Sequence, residues 1–136
     1  MSKATVYLAG KMTGLSQKDM IRWRNASRQH LEDNGFKVLC PASLPLDIDN
    51  VTDREIVHSN KYQIRHSDII LAELAYKEIS IGTVSEIIFA GTMDKPVIVW
   101  GEAYNIVDYP WIKEHTTKHF KTLNKALEYI CLNYSK

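Results

Sequence analysis

Glu86 is the residue of this sequence best suited to chemistry. It closes the stretch Ser80-Ile81-Gly82-Thr83-Val84-Ser85-Glu86, which follows the apolar run Asp68-Ile69-Ile70-Leu71-Ala72-Glu73. That run is short, β-branched and closed by charge, the pattern of a buried strand in a parallel sheet. A loop with one glycine comes next, then a helix expected from about Thr83 to Met93, with Val84, Ile87, Ile88 and Ala90 as its apolar residues. Glu86 falls in the first turn of that helix, beyond the carboxyl end of a central strand, where open α/β sheets bind their ligands. The helix dipole favours an ionised carboxylate there, which makes Glu86 a candidate nucleophile. The same residues carry a second meaning. Thr83-x-x-Glu86 is also a capping box, in which both side chains satisfy free N–H groups and nothing reacts.

The elements that must position this stretch are read in chain order. Ala4-Thr5-Val6-Tyr7-Leu8-Ala9 is a strand, and Gly10-Lys11-Met12-Thr13-Gly14 is the turn that leaves it. Its glycines let the backbone approach a ligand closely, although it is neither a GxGxxG fingerprint nor a P-loop. Ser16 caps a helix to about Asn34 that Gly35 stops, with Met20, Trp23 and Leu31 on a face interrupted by Ser27 and His30. Lys11 and Arg22 lie near the turn, as phosphate ligands or as ordinary solvated charges. Phe36-Lys37-Val38-Leu39-Cys40 is the second strand. Residues 41–50, with Pro41, Pro45, Asp47 and Asp49, read as a long loop over the rim.

Thr52-Asp53-Arg54-Glu55 is a capping box opening a helix to about His66, whose inward stripe is Ile56, Asn60 and Ile64. A polar residue in such a stripe needs a partner, in the core or in a pocket. Asp94-Lys95 turns into the strand Pro96-Val97-Ile98-Val99-Trp100. An irregular, tyrosine-rich stretch from Gly101 to Pro110 and a short helical piece near Trp111 to His115 come next. His119-Phe120 adds a short strand, and Thr122 caps a last helix with Leu123, Ala126, Leu127, Ile130, Cys131 and Tyr134 at a 3.6 period. The alternation specifies an α/β domain with a doubly wound, parallel sheet of four or five strands, flavodoxin- or Rossmann-like, in the order 2-1-3-4-5. Strands one and three are then neighbours, and Gly10–Gly14 faces Ser80–Glu86 across one crevice.

Composition narrows the function classes. The 136 residues suit a single domain over 1–136; 45% are hydrophobic and 24% charged. A net charge of +1 argues against nucleic-acid or membrane-surface partners. No apolar run reaches the roughly 20 residues of a spanning helix, and the N-terminus lacks a signal peptide's apolar region. Cys40 and Cys131 make no disulfide framework, and no His or Cys spacing suggests a metal, so a cytoplasmic protein without cofactor or metal is expected.

Taken together, Tyr7-Leu8-Ala9-Gly10-Lys11-Met12-Thr13-Gly14, Pro41-Ala42, Ser67-Asp68-Ile69-Ile70-Leu71, Gly82-Thr83-x-x-Glu86 and Lys95-Pro96-Val97-Ile98 resemble the nucleoside 2-deoxyribosyltransferase superfamily. That superfamily includes the 2′-deoxynucleoside 5′-monophosphate N-glycosidases, and the likeness is greatest to its small bacterial and phage members. It covers roughly residues 4 to 100. The resemblance implies that Glu86 attacks the anomeric carbon and expels the base, after which water or a second base resolves the glycosyl ester. It implies that Tyr7 orients Glu86. It further implies that Gly10, Lys11, Met12, Thr13, Gly82 and Thr83 border the substrate, and that Ser80 matches a serine that contacts the 5′-phosphate in the monophosphate-specific branch. It also implies a homo-oligomer in which each pocket is completed by a neighbour's segment after the fourth strand, here Tyr109-Pro110-Trp111. Such aromatics suit a base better than a phosphate.

One position departs from the pattern. Where the family usually carries an aspartate thought to protonate the leaving base, this chain has Asn60. An amide holds a base by hydrogen bonds but cannot act as a general acid. Another acid then serves (Asp49, Glu73 or His58), or the leaving group needs no proton, as with a cationic nicotinamide, or the chain binds without cleaving. The expectation is an enzyme cleaving an N-glycosidic bond of a nucleoside or nucleotide. The alternative is a non-catalytic nucleotide-binding or sequestering protein built on the same crevice.

Overall fold

The structure, a computed structural model, describes residues 4–12, 17–41, 50–76 and 78–135. Five parallel strands stand in the order β2-β1-β3-β4-β5. They are β1 (Thr5–Ala9), β2 (Lys37–Leu39), β3 (Ile69–Glu73), β4 (Val97–Trp100) and β5 (Lys118–Phe120), interleaved with α1 (Gln17–Asp33), α2 (Asp53–Arg65), α3 (Ile81–Thr92), α4 (Pro110–Glu114) and α5 (Leu123–Tyr134). The predicted order and doubly wound class are those observed. The strand order reverses between β1 and β3, which pair in parallel, Tyr7 with Ile70 and Ala9 with Ala72.

Strand alternation divides the core into two layers. Val6, Leu8, Ile69, Leu71 and Ile98 face one side, where Trp23 and Leu31 of α1 meet Ala126, Leu127 and Ile130 of α5. Tyr7, Ala9, Ile70, Ala72, Val97 and Val99 face the other, against Ile64 of α2 and Ile87 and Ala90 of α3. Both faces of the sheet are covered, which is why β1 and β3 read as unbroken apolar runs. Tyr7 belongs to the α2–α3 layer. The alternation therefore places its hydroxyl on the side of the sheet from which α3 presents Glu86.

The helix ends follow local chemistry. Thr52 accepts from Glu55 N and the Glu55 side chain returns to the Thr52 backbone, so the predicted capping box opens α2. Thr122 accepts from Lys125 N at the start of α5. Gly35, at φ +90°, ends α1 in a conformation that favours glycine. At Gly101, φ is +94° and an added Cβ would lie 2.6 Å from Ala75 N, so the loops after β3 and β4 pass in contact.

Three expectations are corrected. Helix α3 begins at Ile81, with Ser80 as its N-cap accepting from Thr83 N. Thr83 is therefore no cap, Thr83-x-x-Glu86 is no capping box, and Glu86 lies in the second turn. The stripe on α2 does not run inward over its whole length: Ile64 is buried, whereas Ile56 is 36% exposed. The first turns of α2 overhang the rim of the sheet, where a cavity and not the core faces them. On α1, Arg24 joins the buried stripe with Ser27 and Leu31, at 2% exposure. Ser16 and the loop containing Asp47 and Asp49 lie outside the described residues, as does the side chain of Met20.

Candidate active site

The site begins with a hydrogen bond. Tyr7 Oη donates to Glu86 Oε2 at 2.7 Å. Tyr7 has no exposed surface, and burial, followed by the neighbouring Glu86 charge, raises its pKa far above the ordinary phenol range. It remains a phenol and a donor at every physiological pH. Glu86 is pushed up to about 7, with burial as the dominant cause; the Tyr7 hydrogen bond, the Arg24 charge and a hydrogen bond from Asn60 work in the opposite direction. Burial thus outweighs the ionising effect expected of the helix dipole, which fades beyond the first turn.

Glu86 lies on the wall of a cavity of about 650 Å³, within the usual size range for a small-molecule site. The turn after β1 supplies Gly10, Lys11 and Met12 to its lining; α2 supplies Ile56 and Asn60; residues 78–83 form the remaining wall, with Pro41 at the edge. An added Cβ at Gly82 would meet only Ser80 Oγ, at 4.0 Å, so the backbone there lies open to a ligand. Ser80 Oγ accepts from both Thr83 N and Thr83 Oγ1, which gives this serine a structural role at the helix start. A second, mainly apolar cavity of about 340 Å³ runs between α2 and α3 past Val57, Ile64 and Phe89, and meets the first at Asn60, Ile81, Gly82 and Glu86.

Beneath the turn lies a charged cluster that the sequence reading did not assemble. Arg24 Nη2 donates to Gly10 O at 3.0 Å. Glu73, 2% exposed, accepts from Lys11 N at 3.2 Å and from the Ala75 and Tyr76 backbone N–H groups. Burial raises the Glu73 pKa, while these N–H groups and the Arg24 charge pull it back. Its carboxylate is therefore engaged in holding two rim loops together and is a poor proton donor to a base. At Gly10 an added Cβ would lie 2.6 Å from the Trp23 ring and 3.2 Å from Glu73 Oε1, so only glycine fits over the cluster. Arg24 was legible in part, because Arg24, Ser27 and Leu31 fall at i, i+3 and i+7 on one helix face.

The remaining expected residues separate. Tyr7, Asn60 and Glu86 come together, as do Gly10, Lys11, Met12, Ser80, Gly82 and Thr83 around the cavity. Thr13 and Asp49 lie outside the described residues. His58 and Arg22 are exposed and do not line the cavity. Tyr109 and Trp111 are exposed at the start of α4, with Trp111 stacked parallel on His115 at 5.7 Å between ring centres. His115 in turn packs against Gly91 near the end of α3, so among the described residues neither aromatic lines the cavity of its own chain. Glu78 and Ile79, not singled out in the sequence, are part of the lining. Among the described residues, no group of three or more His, Cys, Asp and Glu side chains is placed to hold a metal, and no helix is long and apolar enough to cross a membrane.

A parallel sheet with a tyrosine–glutamate pair at its β1–β3 switch point defines an α/β protein with a cavity at the carboxyl rim of the sheet. Residues 6–125 match the nucleoside 2-deoxyribosyltransferase family, and the chain belongs to it. Its fold is shared with a 2-deoxyribosyltransferase of Bacillus psychrosaccharolyticus at 21% identity, with a TM-score of 0.74 and coverage of 93% of this chain and 92% of that one. A CMP N-glycosidase of Clostridium botulinum is similar at 18% identity and TM-score 0.64, over 94% and 98% of the two chains. A molybdenum cofactor binding protein of Rippkaea orientalis is similar at 16% identity and TM-score 0.66, over 96% of each chain. No curated protein sequence gives a significant match.

Proposed function

We propose that this protein cleaves the N-glycosidic bond of a nucleoside or nucleotide, with Glu86 as nucleophile. The observation that carries the reading is the 2.7 Å hydrogen bond from a buried phenol to a carboxylate on the wall of a ligand-sized cavity. In the ionised state, Glu86 attacks C1′ of the sugar. The C1′–N bond breaks and its electron pair leaves with the base, forming a glycosyl ester on Glu86. Water or an incoming base then attacks C1′, and the ester C–O bond returns its electrons to Glu86. Tyr7 fixes one carboxylate oxygen so that the other is free to attack.

Asn60 replaces proton donation with hydrogen bonding. Its amide lies beside Glu86 and helps lower that carboxylate's pKa, and an N–H turned to an acceptor on the departing base stabilises developing negative charge there without transferring a proton. This favours a base that leaves as a stabilised anion or is already cationic. Of the alternative acids, Glu73 is committed to three backbone N–H groups and His58 stands outside the lining. Lys11 and Ser80 line the same wall and support an anionic substrate, as does the likeness to a CMP N-glycosidase. The family match and the Tyr7–Glu86 pair favour catalysis. Asn60, and a fold shared with a cofactor-binding protein, favour the second reading, a nucleotide binder that leaves the bond intact. Incubation with a panel of nucleosides and nucleoside 5′-monophosphates, followed by chromatography for free base, decides between them: base release supports the enzyme, and tight binding without release supports the binder.

A further inference from the structure

Lys11 and Glu78 meet at the cavity wall, with Lys11 Nζ 3.0 Å from Glu78 Oε2. The pair is unevenly buried: the lysine side chain is 12% exposed and the glutamate 85%. The cation is built into the wall. Its own backbone N–H is held by Glu73 Oε1, and Gly10 before it is wedged against Trp23, Glu73 and Arg24. The carboxylate, by contrast, projects from the segment ahead of α3 and is almost fully solvated. An enclosed ammonium needs a counter-charge, whereas a solvated carboxylate loses little when it is released. Both residues line the 650 Å³ cavity, and Ser80 lines it with them.

We propose that Glu78 is a specificity-determining residue whose carboxylate occupies the place at Lys11 that a substrate's phosphomonoester takes. The proposal rests on the reading of the cavity as a nucleotide site and adds to it a competitor carried by the chain itself. A phosphomonoester carries a charge of about −1.5 to −2 near neutral pH and three strong acceptor oxygens. It therefore displaces a single carboxylate from Lys11, while a neutral sugar hydroxyl does not. The other acids near the cavity are differently placed. Glu86 is bound to Tyr7, and Glu73 lies buried under the turn with its oxygens on backbone N–H groups. Among the described residues, Glu78 is left as the exchangeable anion.

Calorimetric titration of inorganic phosphate, and separately of a nucleoside 5′-monophosphate, into the wild type, Glu78→Gln, Lys11→Met and the double variant tests this. Glu78→Gln is expected to bind both anions about two- to five-fold more tightly, the range set by what an exposed ion pair is worth. Lys11→Met is expected to weaken both, and the gain from Glu78→Gln is expected to vanish in the double variant. If the gain persists without Lys11, Glu78 acts only by general repulsion and the proposal is overturned. It is overturned equally if Glu78→Gln binds phosphate no better than wild type. Phosphate binding is read without turnover, so a failure to release base leaves this outcome untouched, and the reverse also holds.

Discussion

The Tyr7 hydroxyl and the Glu86 carboxylate, 79 positions apart in the chain, are joined by a hydrogen bond of 2.7 Å between the first strand and the third helix. Tyr7→Phe removes an interaction that lowers the Glu86 pKa. The free protein titrates at Glu86 near 7, so kcat/KM is expected to rise with pH through about that value as the nucleophile ionises. In Tyr7→Phe this ascending limb moves to higher pH. Since hydrogen bonds to charged groups contribute about 1.5–3 kcal/mol, the shift is expected to be about one unit or more. A pH–rate profile with an unmoved limb contradicts the assignment.

Glu86 also links stability to pH. Its folded pKa, about 7, lies above the ordinary value of 4.5, so between these values the native state binds more protons than the unfolded state. Stability from this group is full below 4.5, falls as pH rises through 7, and is constant beyond. Glu86→Gln, which carries no charge, is expected to gain relative to wild type across that window, reaching on the order of 3 kcal/mol at pH 8. Denaturant titrations of both proteins at pH 5 and pH 8 measure the difference. A gain no larger at pH 8 than at pH 5 contradicts burial as the cause.

Asn60→Asp places a carboxylate where an amide now lies beside Glu86. The like charge is expected to raise the Glu86 pKa, moving the ascending limb of kcat/KM upward and weakening turnover below pH 7. Where Glu86 is ionised, the new acid is expected to speed release of bases that need a proton, since general acid help is typically worth about 10²–10⁴-fold. Profiles on two substrates with different leaving-group basicity separate the effects. Identical profiles for wild type and variant count against Asn60 as a partner of Glu86.

The architecture was largely legible because each strand is a compact apolar run and each junction carries a recognisable cap or glycine. Glu86 and Tyr7 were legible only through motifs in the right order, since no local pattern joins residues so far apart. Local reading went wrong at Thr83. Ser80 and Thr83 compete for the same first turn, and the extended backbone at Ser80 (φ −89°, ψ 108°) gives the cap to the serine. Ile56 misled in the same manner, because its periodicity is that of a core position while the sheet ends beneath it. The Arg24–Glu73 cluster is a tertiary fact, assembled from α1, the turn after β1 and the end of β3.

That cluster yields its own expectation. Arg24→Met leaves Glu73 without its neighbouring cation and Gly10 O without its donor, and losing a hydrogen bond from a charged group typically costs about 1.5–3 kcal/mol. Because Glu73 ties the Gly10–Lys11 turn to the loop at Ala75, the loss is expected to appear also as faster hydrogen exchange at Lys11 and Ala75. A variant as stable as wild type, with unchanged exchange there, contradicts the role assigned to Arg24.

Glu86 is the proposed nucleophile toward the sugar. The most direct measurement is the rate of free base released by wild type and by Glu86→Gln at pH 8, with circular dichroism establishing that both are folded. The substitution keeps the size of the side chain and its reach to Tyr7 while removing the attacking charge. Wild type is expected to release base and Glu86→Gln to be slower by at least about three orders of magnitude, the loss that follows removal of a covalent nucleophile. Equal rates for the two folded proteins contradict it.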